Sequence, residues 1–228
     1  MSSPHLQPVA AVVVAAGSGS RLGHALPKAL VEVAGVPMVV RAVSALRAGG
    51  VGKVVVVAPS SHLDRFEAVL SGLPDVTVTV GGPVRQDSVR LGLAAVGDAA
   101  VVLVHDAARP LVPARVVRDV VAACREGAPA VVPVVPVIDT IRSIDDGALG
   151  VVDRSVLRAV QTPQGFDADA LRRAHAHVER EGLTVTDDAS ACEAIGLPVM
   201  LVEGAREATK ITEPFDLLVA EAIAGKGD

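Results

Sequence analysis

The chain has almost no aromatic residues. They make up 1% of its 228 positions, as three phenylalanines, with neither tryptophan nor tyrosine. Stacking of bases on aromatic side chains, which single-stranded nucleic-acid binders commonly use, is therefore almost unavailable. A cationic excess is missing too, because the net charge is −5, whereas binding to a phosphate backbone needs a positive surface. These deficits argue against a nucleic-acid partner. A small anion could still bind in a local basic pocket.

Long hydrophobic runs are also missing. No uninterrupted apolar run approaches the roughly 20 residues that cross a bilayer. The run from Val9 to Ala16 passes straight into a glycine-rich turn and has no Lys or Arg before it, unlike a signal peptide. The two cysteines, Cys124 and Cys192, are too few for a disulfide framework or a zinc site. We therefore expect a cytoplasmic protein with free thiols and no membrane partner.

What the chain does contain is a repeated alternation of strand and helix patterns. Valine-rich runs that are near-continuously apolar, as in strands buried on both faces, lie at 9–15, 53–58, 76–80, 101–105 and 130–135. Helical spacing lies between them, at 39–46, 62–70, 87–96 and 113–125. Further on, the patterns predict helices near 167–181, from Asp188 and from Glu213, and a strand at 198–202. This order predicts an α/β fold with a mostly parallel sheet flanked by helices, whose ligands bind at the carboxyl ends of the strands.

Residues 136–160, called the arm below, break this alternation. Two extended segments flank the turn signal Asp-Asp-Gly at 145–147, which predicts a hairpin. A two-stranded excursion is marginal in water unless something packs against it, so a partner subunit is its natural support. We expect residues 1–228 to form one domain with a projecting dimerisation arm.

A turn of small residues with two cations follows the first predicted strand. Residues 15–23 read Ala-Ala-Gly-Ser-Gly-Ser-Arg-Leu-Gly, and Pro27 and Lys28 come shortly after. Glycines let backbone N–H groups approach an anion, and Arg21 and Lys28 add fixed positive charge, so the turn predicts a phosphate site. It is not a P-loop, because the Gly-Lys-Ser/Thr ending is absent. It is a poor dinucleotide fingerprint, because Leu22 occupies the place of the third glycine.

Asp106 comes directly after the strand at 101–105. Its carboxylate should emerge at the carboxyl edge of the sheet, where it can bind a divalent metal or a sugar hydroxyl. The alternative role, a helix N-cap, is less suitable because the next helical pattern begins near Pro113. The neighbouring His105 is expected to be a packed residue, and His175 and His177 would face different sides of a helix. We assign no histidine to a metal.

The loop at 81–89, Gly-Gly-Pro-Val-Arg-Gln-Asp-Ser-Val, permits two interpretations. Its backbone groups could contact the edge of a nucleobase. It could equally be a plain loop with a helix cap at Asp87 or Ser88. Later loops carry threonine, arginine and lysine residues that suit a second anion and a polyol, and Lys210 lies in an apolar-flanked segment that should be partly buried.

In this order the motifs resemble those of the 2-C-methyl-D-erythritol 4-phosphate cytidylyltransferases of the non-mevalonate isoprenoid pathway. The resemblance covers about residues 9 to 224 and rests on AAGSGSRLG with PKAL, GGPVRQDSV, VHDAARP, VDR, QTPQ, TDDAS and ATKIT. It implies a Rossmann-like fold of the nucleotide-diphospho-sugar transferase type. It also implies a Mg²⁺-dependent transfer of CMP from CTP to the polyol phosphate, with release of pyrophosphate, in a homodimer whose arms complete each other's sites.

The resemblance further implies roles for individual residues. Arg21 and Lys28 would stabilise the charged transition state, and Arg154 and Lys210 would orient the attacking phosphate. CTP would contact Ala15, Ala16, Gly17, Gly19, Gly82, Ser88 and Ala107. The polyol or its phosphate would contact Asp106, Arg109, Thr140, Arg154, Thr162 and Lys210. Asp106 would also be the contact for the metal.

Pro83 departs from the family pattern, in which an acidic residue often follows the glycine pair. A proline supplies neither a side-chain acceptor nor a backbone donor, so cytosine would have to be selected by Gly82, Ser88 or water.

Three alternatives remain open. A ribitol 5-phosphate cytidylyltransferase would share the fold and the CTP half of the site, although VHDAARP and TDDAS favour methylerythritol phosphate. A nicotinamide dinucleotide oxidoreductase would need the glycine and the acid that the fingerprint lacks. A noncatalytic nucleotide-binding module is disfavoured by the full set of cations.

Overall fold

Valine dominates the strands, as expected of β-branched side chains on a pleated, buried surface. The computed structural model describes residues 8–17, 26–144 and 150–225. The strands are β1 (Val9–Val14), β2 (Glu32–Val33), β3 (Val36–Pro37), β4 (Lys53–Ala58), β5 (Val76–Val80), β6 (Val101–Asp106), β7 (Ala130–Pro136), β8 (Ile141–Arg142), β9 (Val151–Val152), β10 (Arg158–Val160), β11 (Gln164–Asp167) and β12 (Val199–Glu203). The helices are α1 (Met38–Ala48), α2 (Leu63–Leu70), α3 (Arg85–Ala95), α4 (Ala114–Arg125), α5 (Ala168–Arg180), α6 (Asp188–Glu193) and α7 (Pro214–Ala224).

The main sheet pairs its strands in the order β5–β4–β1–β6–β11–β7, and β7 also pairs with β10 and β12. Strands β5, β4, β1 and β6 run parallel, as do β12 and β7. Strand β11 is antiparallel to both of its neighbours, and β10 is antiparallel to β7. The predicted α/β fold with a mostly parallel sheet flanked by helices is confirmed.

Both faces of the centre of the sheet are covered by helices, which explains why its central strands are not amphipathic. Along β1, Ala11 and Val13 enter a core that includes residues of α1, α2 and α4. The alternate residues Ala10 and Val12 enter a second core, with residues of α3, α5 and α6. A strand buried on both faces reads as a continuous apolar run, and each of the five valine-rich runs forms a strand of this sheet. The predicted burial on both faces is wrong for β5, which ends the sheet, alternates Val and Thr, and has only half-buried and exposed residues.

Strand β11 was not predicted, although it lies between β6 and β7. It is four residues long and begins with Gln164 and Gly165, so it carries little of the apolar signal of a buried strand. A Cβ at Gly165 would lie 2.4 Å from Cγ1 of Val120 and 2.8 Å from the Sγ of Cys124. The glycine is required because α4 passes close over the strand.

The arm is extended, and its apolar side chains are mostly exposed. Strands β8 and β9 form an antiparallel pair, with Ile141 opposite Val152, while β10 returns the chain to β7. The predicted turn at 145–147 lies outside the described residues. Exposure reaches 85% at Ile144 and 76% at Val156, so little of the arm's apolar surface is buried by its own chain.

The cysteines are as expected from the sequence. Cys124 and Cys192 are both buried and unbridged, and burial raises the pKa of each thiol to about 12. Across residues 8–17, 26–144 and 150–225, no helix combines the length and the apolar character needed to span a bilayer.

Candidate active site

A cleft of about 390 Å³ opens beside the carboxyl ends of β1 and β6, where Val14 lies opposite Asp106. Several predicted site residues line it. They are Ala15, Ala16, Gly17, Lys28, Gly82, Ser88, Asp106, Ala107 and Lys210. Predicted residues Gly19 and Arg21 lie outside the described part of the chain. The cleft therefore lies at the edge of the sheet where the sequence placed it.

The turn after β1 is fixed by backbone hydrogen bonds. The N–H of Ala15 donates to the carbonyl of Val57 at 2.8 Å, and the N–H of Ala107 donates to the carbonyl of Val14 at 3.1 Å. Among the described residues, no atom lies within 4 Å of the position of a Cβ on Gly17. The backbone at this strand end is therefore held in place, and these residues leave room beside Gly17.

The loop from Gly82 to Val84 is held by Ser88. The Ser88 hydroxyl accepts from the N–H of Gly82 at 3.1 Å and lies 3.1 Å from the carbonyl of Val84, to which it donates. Helix α3 starts at Arg85, and no side chain caps its N-terminus. The alternative of a helix cap at Asp87 or Ser88 is therefore wrong, because Ser88 lies inside the first turn and closes the loop.

Asp106 forms two contacts with cations across the cleft. Its Oδ2 lies 2.7 Å from the Nζ of Lys210, and its Oδ1 lies 3.4 Å from the Nε of Arg85. Burial alone would raise the pKa of this carboxyl, but the charges of Arg85 and Lys210 outweigh burial and hold the pKa well below its usual range. Asp106 is therefore an ionised, oriented acceptor, and the next helix begins only at Ala114, which excludes the N-cap alternative.

Lys210 leaves a buried segment to reach this carboxylate. Ala208 and Ile211 are buried, as the sequence suggested for this segment, whereas the Lys210 side chain is 43% exposed. Lys210 and Lys28 are both among the residues that line the cleft.

Thr162 and His105 lie behind the cleft wall. Thr162 holds the backbone of Asp106 in place, and His105 in turn contacts Thr162. The N–H of Asp106 donates to Oγ1 of Thr162 at 3.0 Å, and that oxygen lies 3.0 Å from Nδ1 of His105. Nε2 of His105 lies 3.2 Å from the carbonyl of Arg109. Burial lowers the pKa of His105 to about 4, so the ring is neutral and satisfies both contacts by donating from Nε2 and accepting at Nδ1. His105 is a packed residue, as expected.

The remaining predicted polyol contacts, Arg109, Thr140 and Arg154, are not among the lining residues. The Arg109 guanidinium donates to the carbonyl of Ala208 at 2.7 Å and to that of Val160 at 3.2 Å, so it ties the end of β10 to the segment before Lys210. Thr140 and Arg154 are exposed on the arm, where Arg154 donates to the carbonyl of Ile138.

Two charged residues that sequence reasoning did not assign belong to the site. Arg85 lines the cleft, and its Nη1 lies 2.8 Å from Oδ2 of Asp188, a residue 1% exposed. Oδ1 of Asp188 lies 3.0 Å from Nε2 of the buried His175. Arg85 and Asp188 lie in the motifs GGPVRQDSV and TDDAS. Local sequence does not distinguish an arginine near a glycine pair from a solvent-exposed loop residue, so their roles could not be predicted.

Comparison with known proteins places these features in a family. The family model for 2-C-methyl-D-erythritol 4-phosphate cytidylyltransferase matches residues 9–226. The curated protein of that name from Saccharopolyspora erythraea is 53% identical over 223 residues, covering 94% of this chain and 98% of its own length. The one from Frankia casuarinae is 50% identical over 224 residues, covering 96% and 82%.

Solved structures agree with the sequence comparison. The crystal structure of 2-C-methyl-D-erythritol 4-phosphate cytidylyltransferase from Thermus thermophilus is 38% identical, with a TM-score of 0.78 over 94% of this chain and 98% of that one. The 4-diphosphocytidyl-2C-methyl-D-erythritol synthase from Anaerococcus prevotii is 25% identical, with a TM-score of 0.84 over 96% and 99%. The similarity spans both the cleft and the arm.

Proposed function

Because this chain belongs to the 2-C-methyl-D-erythritol 4-phosphate cytidylyltransferase family, we propose that its cleft binds CTP and that its arm completes the site for the acceptor. The enzyme transfers CMP from CTP to 2-C-methyl-D-erythritol 4-phosphate in isoprenoid biosynthesis. The observation that carries the assignment of the cleft is the convergence of Lys28, Arg85 and Lys210 on the strand ends at Gly17 and Asp106.

The reaction needs cations more than it needs a base. A phosphate oxygen of the acceptor attacks the α-phosphorus of CTP, and a new P–O bond forms while the bond from that phosphorus to the bridging oxygen of the β-phosphate breaks. Pyrophosphate leaves with the bonding electrons. The attacking phosphate is already anionic at neutral pH, so catalysis depends on positioning and on stabilising negative charge at phosphorus.

Lys28 is proposed to stabilise that charge, together with Arg21. Lys28 lines the cleft together with residues of the turn after β1, where backbone N–H groups can approach phosphate oxygens. Ala15, Ala16 and Gly17 would form the wall against the nucleotide. Lys210 would orient the attacking phosphate, since it lies on the opposite side of Asp106 from Arg85.

Cytosine is proposed to lie against the loop closed by Ser88. Gly82, Pro83 and Val84 line the cleft together with Ser88. Pro83 has no N–H and no polar side chain, so recognition of the base would use Gly82 and Ser88. The ribose would lie near Ala107.

Mg²⁺ is the proposed cofactor, with Asp106 as its protein contact. Mg²⁺ sites commonly use one or two carboxylates together with substrate phosphates rather than a cage of protein ligands. In the described part of the chain, no group of three or more His, Cys, Asp or Glu side chains is placed to hold a metal. Asp106 can still bind the ion. A carboxylate has about four lone-pair sites, and only Arg85 and Lys210 among the described residues form ion pairs with it, so sites for a metal remain. When bound, the ion would offset charge on the triphosphate.

The arm is proposed to act in a homodimer. Its exposed apolar residues include Ile138 at 63% and Val151 at 61%, and exposed apolar surface of this kind marks association sites. Thr140 and Arg154 do not line the cleft of their own chain. Both would therefore reach the acceptor phosphate in the cleft of a second copy, beside Arg109 and Thr162.

A pyrophosphate-release assay tests this function. CTP, ATP, GTP and UTP are each combined with methylerythritol 4-phosphate and with ribitol 5-phosphate, and reactions without acceptor measure background hydrolysis. We expect rapid release only with CTP and methylerythritol 4-phosphate. Faster turnover with ribitol 5-phosphate, or equal rates with all four nucleotides, would contradict the assignment.

A further inference from the structure

A row of polar, ionisable side chains leads from the interior of the molecule to the cleft. It begins at His175 on α5, continues through Asp188 at the start of α6 and Arg85 at the start of α3, and ends at Asp106 and Lys210. His175 and Asp188 are 3% and 1% exposed. Polar side chains are rarely buried this far without a partner, and every neighbouring pair along this row is in contact.

Arg85 is the link between the interior and the cleft. Its guanidinium places Nη1 2.8 Å from Asp188 and Nε 3.4 Å from Asp106, so one planar group bridges two carboxylates that come from different elements. Burial would lower the pKa of Arg85, but Asp188 and Asp106 raise it, which keeps the bridge charged. A lysine carries the same charge but has no rigid fork with which to hold both partners.

We propose that Arg85 is a positioning residue for the transfer reaction: it orients the carboxylate of Asp106 toward the acceptor, and Asp188, backed by His175, holds Arg85 in place. This inference rests on the proposed function and on the contact between Asp106 and the acceptor that the family resemblance implies. The short contact to Asp188 anchors the guanidinium, and the longer contact to Asp106 sets one oxygen of that carboxylate. The other oxygen receives Lys210 at 2.7 Å, so the orientation of Asp106 also fixes the lysine that would orient the attacking phosphate.

A second arginine on the same helix provides a matched control. Arg90 of α3 also joins this helix to α5, through Glu179 at 3.3 Å, and contacts Asp87 at 3.8 Å. It does not line the cleft. If Arg85 only fastened α3 to the neighbouring helices, Arg85→Lys and Arg90→Lys would have similar effects. A positioning role predicts that only Arg85→Lys changes the kinetics.

The first experiment measures steady-state kinetics of the full-length enzyme with CTP and methylerythritol 4-phosphate. We expect Arg85→Lys to lower kcat/KM for the acceptor about 10- to 100-fold, the scale for losing a residue that orients an active-site group, with little change in the KM for CTP. Asp188→Asn, which keeps size and shape, should change the same parameter in the same direction by less. Arg90→Lys should match the wild type.

A double-mutant cycle tests whether Arg85 acts through Asp106. The variant combining Arg85→Lys with Asp106→Asn should lose no more activity than Asp106→Asn alone, because a positioning residue has nothing left to position. Losses that multiply would mean that Arg85 acts independently and would overturn the inference. A loss confined to the KM for CTP would overturn it too, since Arg85 would then be a nucleotide contact.

Melting temperatures separate this role from a folding defect. Should Arg85→Lys fail to fold, Asp188→Asn decides the same question, and wild-type acceptor kinetics in that folded variant would contradict the proposal. A wild-type enzyme that releases no pyrophosphate would instead refute the proposed function. An active wild type matched by both variants would refute this inference alone.

Discussion

The cleft and the arm carry the two halves of the proposed site, and they are built in opposite ways. In the cleft, Asp106 is held by Thr162 at its backbone and by Arg85 and Lys210 at its carboxylate. On the arm, the side chains expected to act, Thr140 and Arg154, are exposed. The contrast shows that the side chains of the cleft are fixed by contacts within one chain, whereas those of the arm are exposed; in the proposed homodimer a second copy would cover them.

The largest expected effect is in the cleft. Lys28→Ala should lower kcat about 10²- to 10³-fold, or about 2.7–4 kcal/mol, the scale of removing one group that stabilises charge in a transition state. Pyrophosphate release under saturating substrates measures it. Lys53→Ala is the control. Lys53 is the first residue of β4, so it lies at the end of the strand away from the cleft, where its ammonium donates to the carbonyl of Ala95. Activity of Lys28→Ala within a few-fold of wild type would remove Lys28 from this role.

A smaller effect, of a different kind, is expected on the arm. Arg154→Ala should lower kcat/KM for methylerythritol 4-phosphate about 10- to 100-fold, the scale of a lost hydrogen bond to a charged group, while leaving the KM for CTP unchanged. The matched control is Arg158→Ala, an exposed arginine whose guanidinium donates to the carbonyls of Ser155 and Leu157. If Arg154→Ala weakened only the binding of CTP, Arg154 would be a nucleotide contact, which would contradict its assignment to the acceptor.

Glycine substitutions compare the packing of the two regions. A Cβ at Gly92 in α3 would lie 2.4 Å from Val12 and 2.9 Å from Val57. We expect Gly92→Ala to lower the free energy of unfolding by about 1–2 kcal/mol, because overpacking of the core outweighs the gain in helix propensity. At Gly150 on the arm a Cβ would meet no atom of the described residues within 4 Å, so Gly150→Ala should change stability by less than about 0.5 kcal/mol. Urea unfolding measures both, and equal effects would contradict the packing contrast.

Much of the fold could be predicted because its signal is local. A strand buried on both faces must be apolar throughout, so the valine runs identified β1, β4, β6 and β7. The run of β5 also marked a strand, although its residues are half-buried or exposed. Strand β11 escaped because it is short and contains Gly165, whose requirement comes from α4 rather than from its own sequence neighbours. The break in the alternation located the arm, and its turn signal predicted the antiparallel pairing that β8 and β9 make; the pairing of β10 with β7 was not predicted.

The candidate site divides along the same line. Residues at strand ends, such as Gly17 and Asp106, could be predicted because parallel strands bring their carboxyl ends to one edge of the sheet. The Arg85–Asp188 pair could not, since it joins residues far apart in the sequence and depends on how α3 packs beside α6. Thr162 was predicted to contact the acceptor, and its position behind the wall of the cleft follows from the unforeseen strand that it precedes.

The most direct test of the account mixes two defective variants. If the cleft of one chain works with the arm of another, mixing the Lys28→Ala and Arg154→Ala homodimers and letting their subunits exchange will restore activity to about a quarter of the wild-type rate. Random exchange in a two-fold dimer makes about half of the dimers mixed, with one intact site in each. A mixture no more active than the sum of its two components would contradict the division of the site between the cleft of one chain and the arm of its partner.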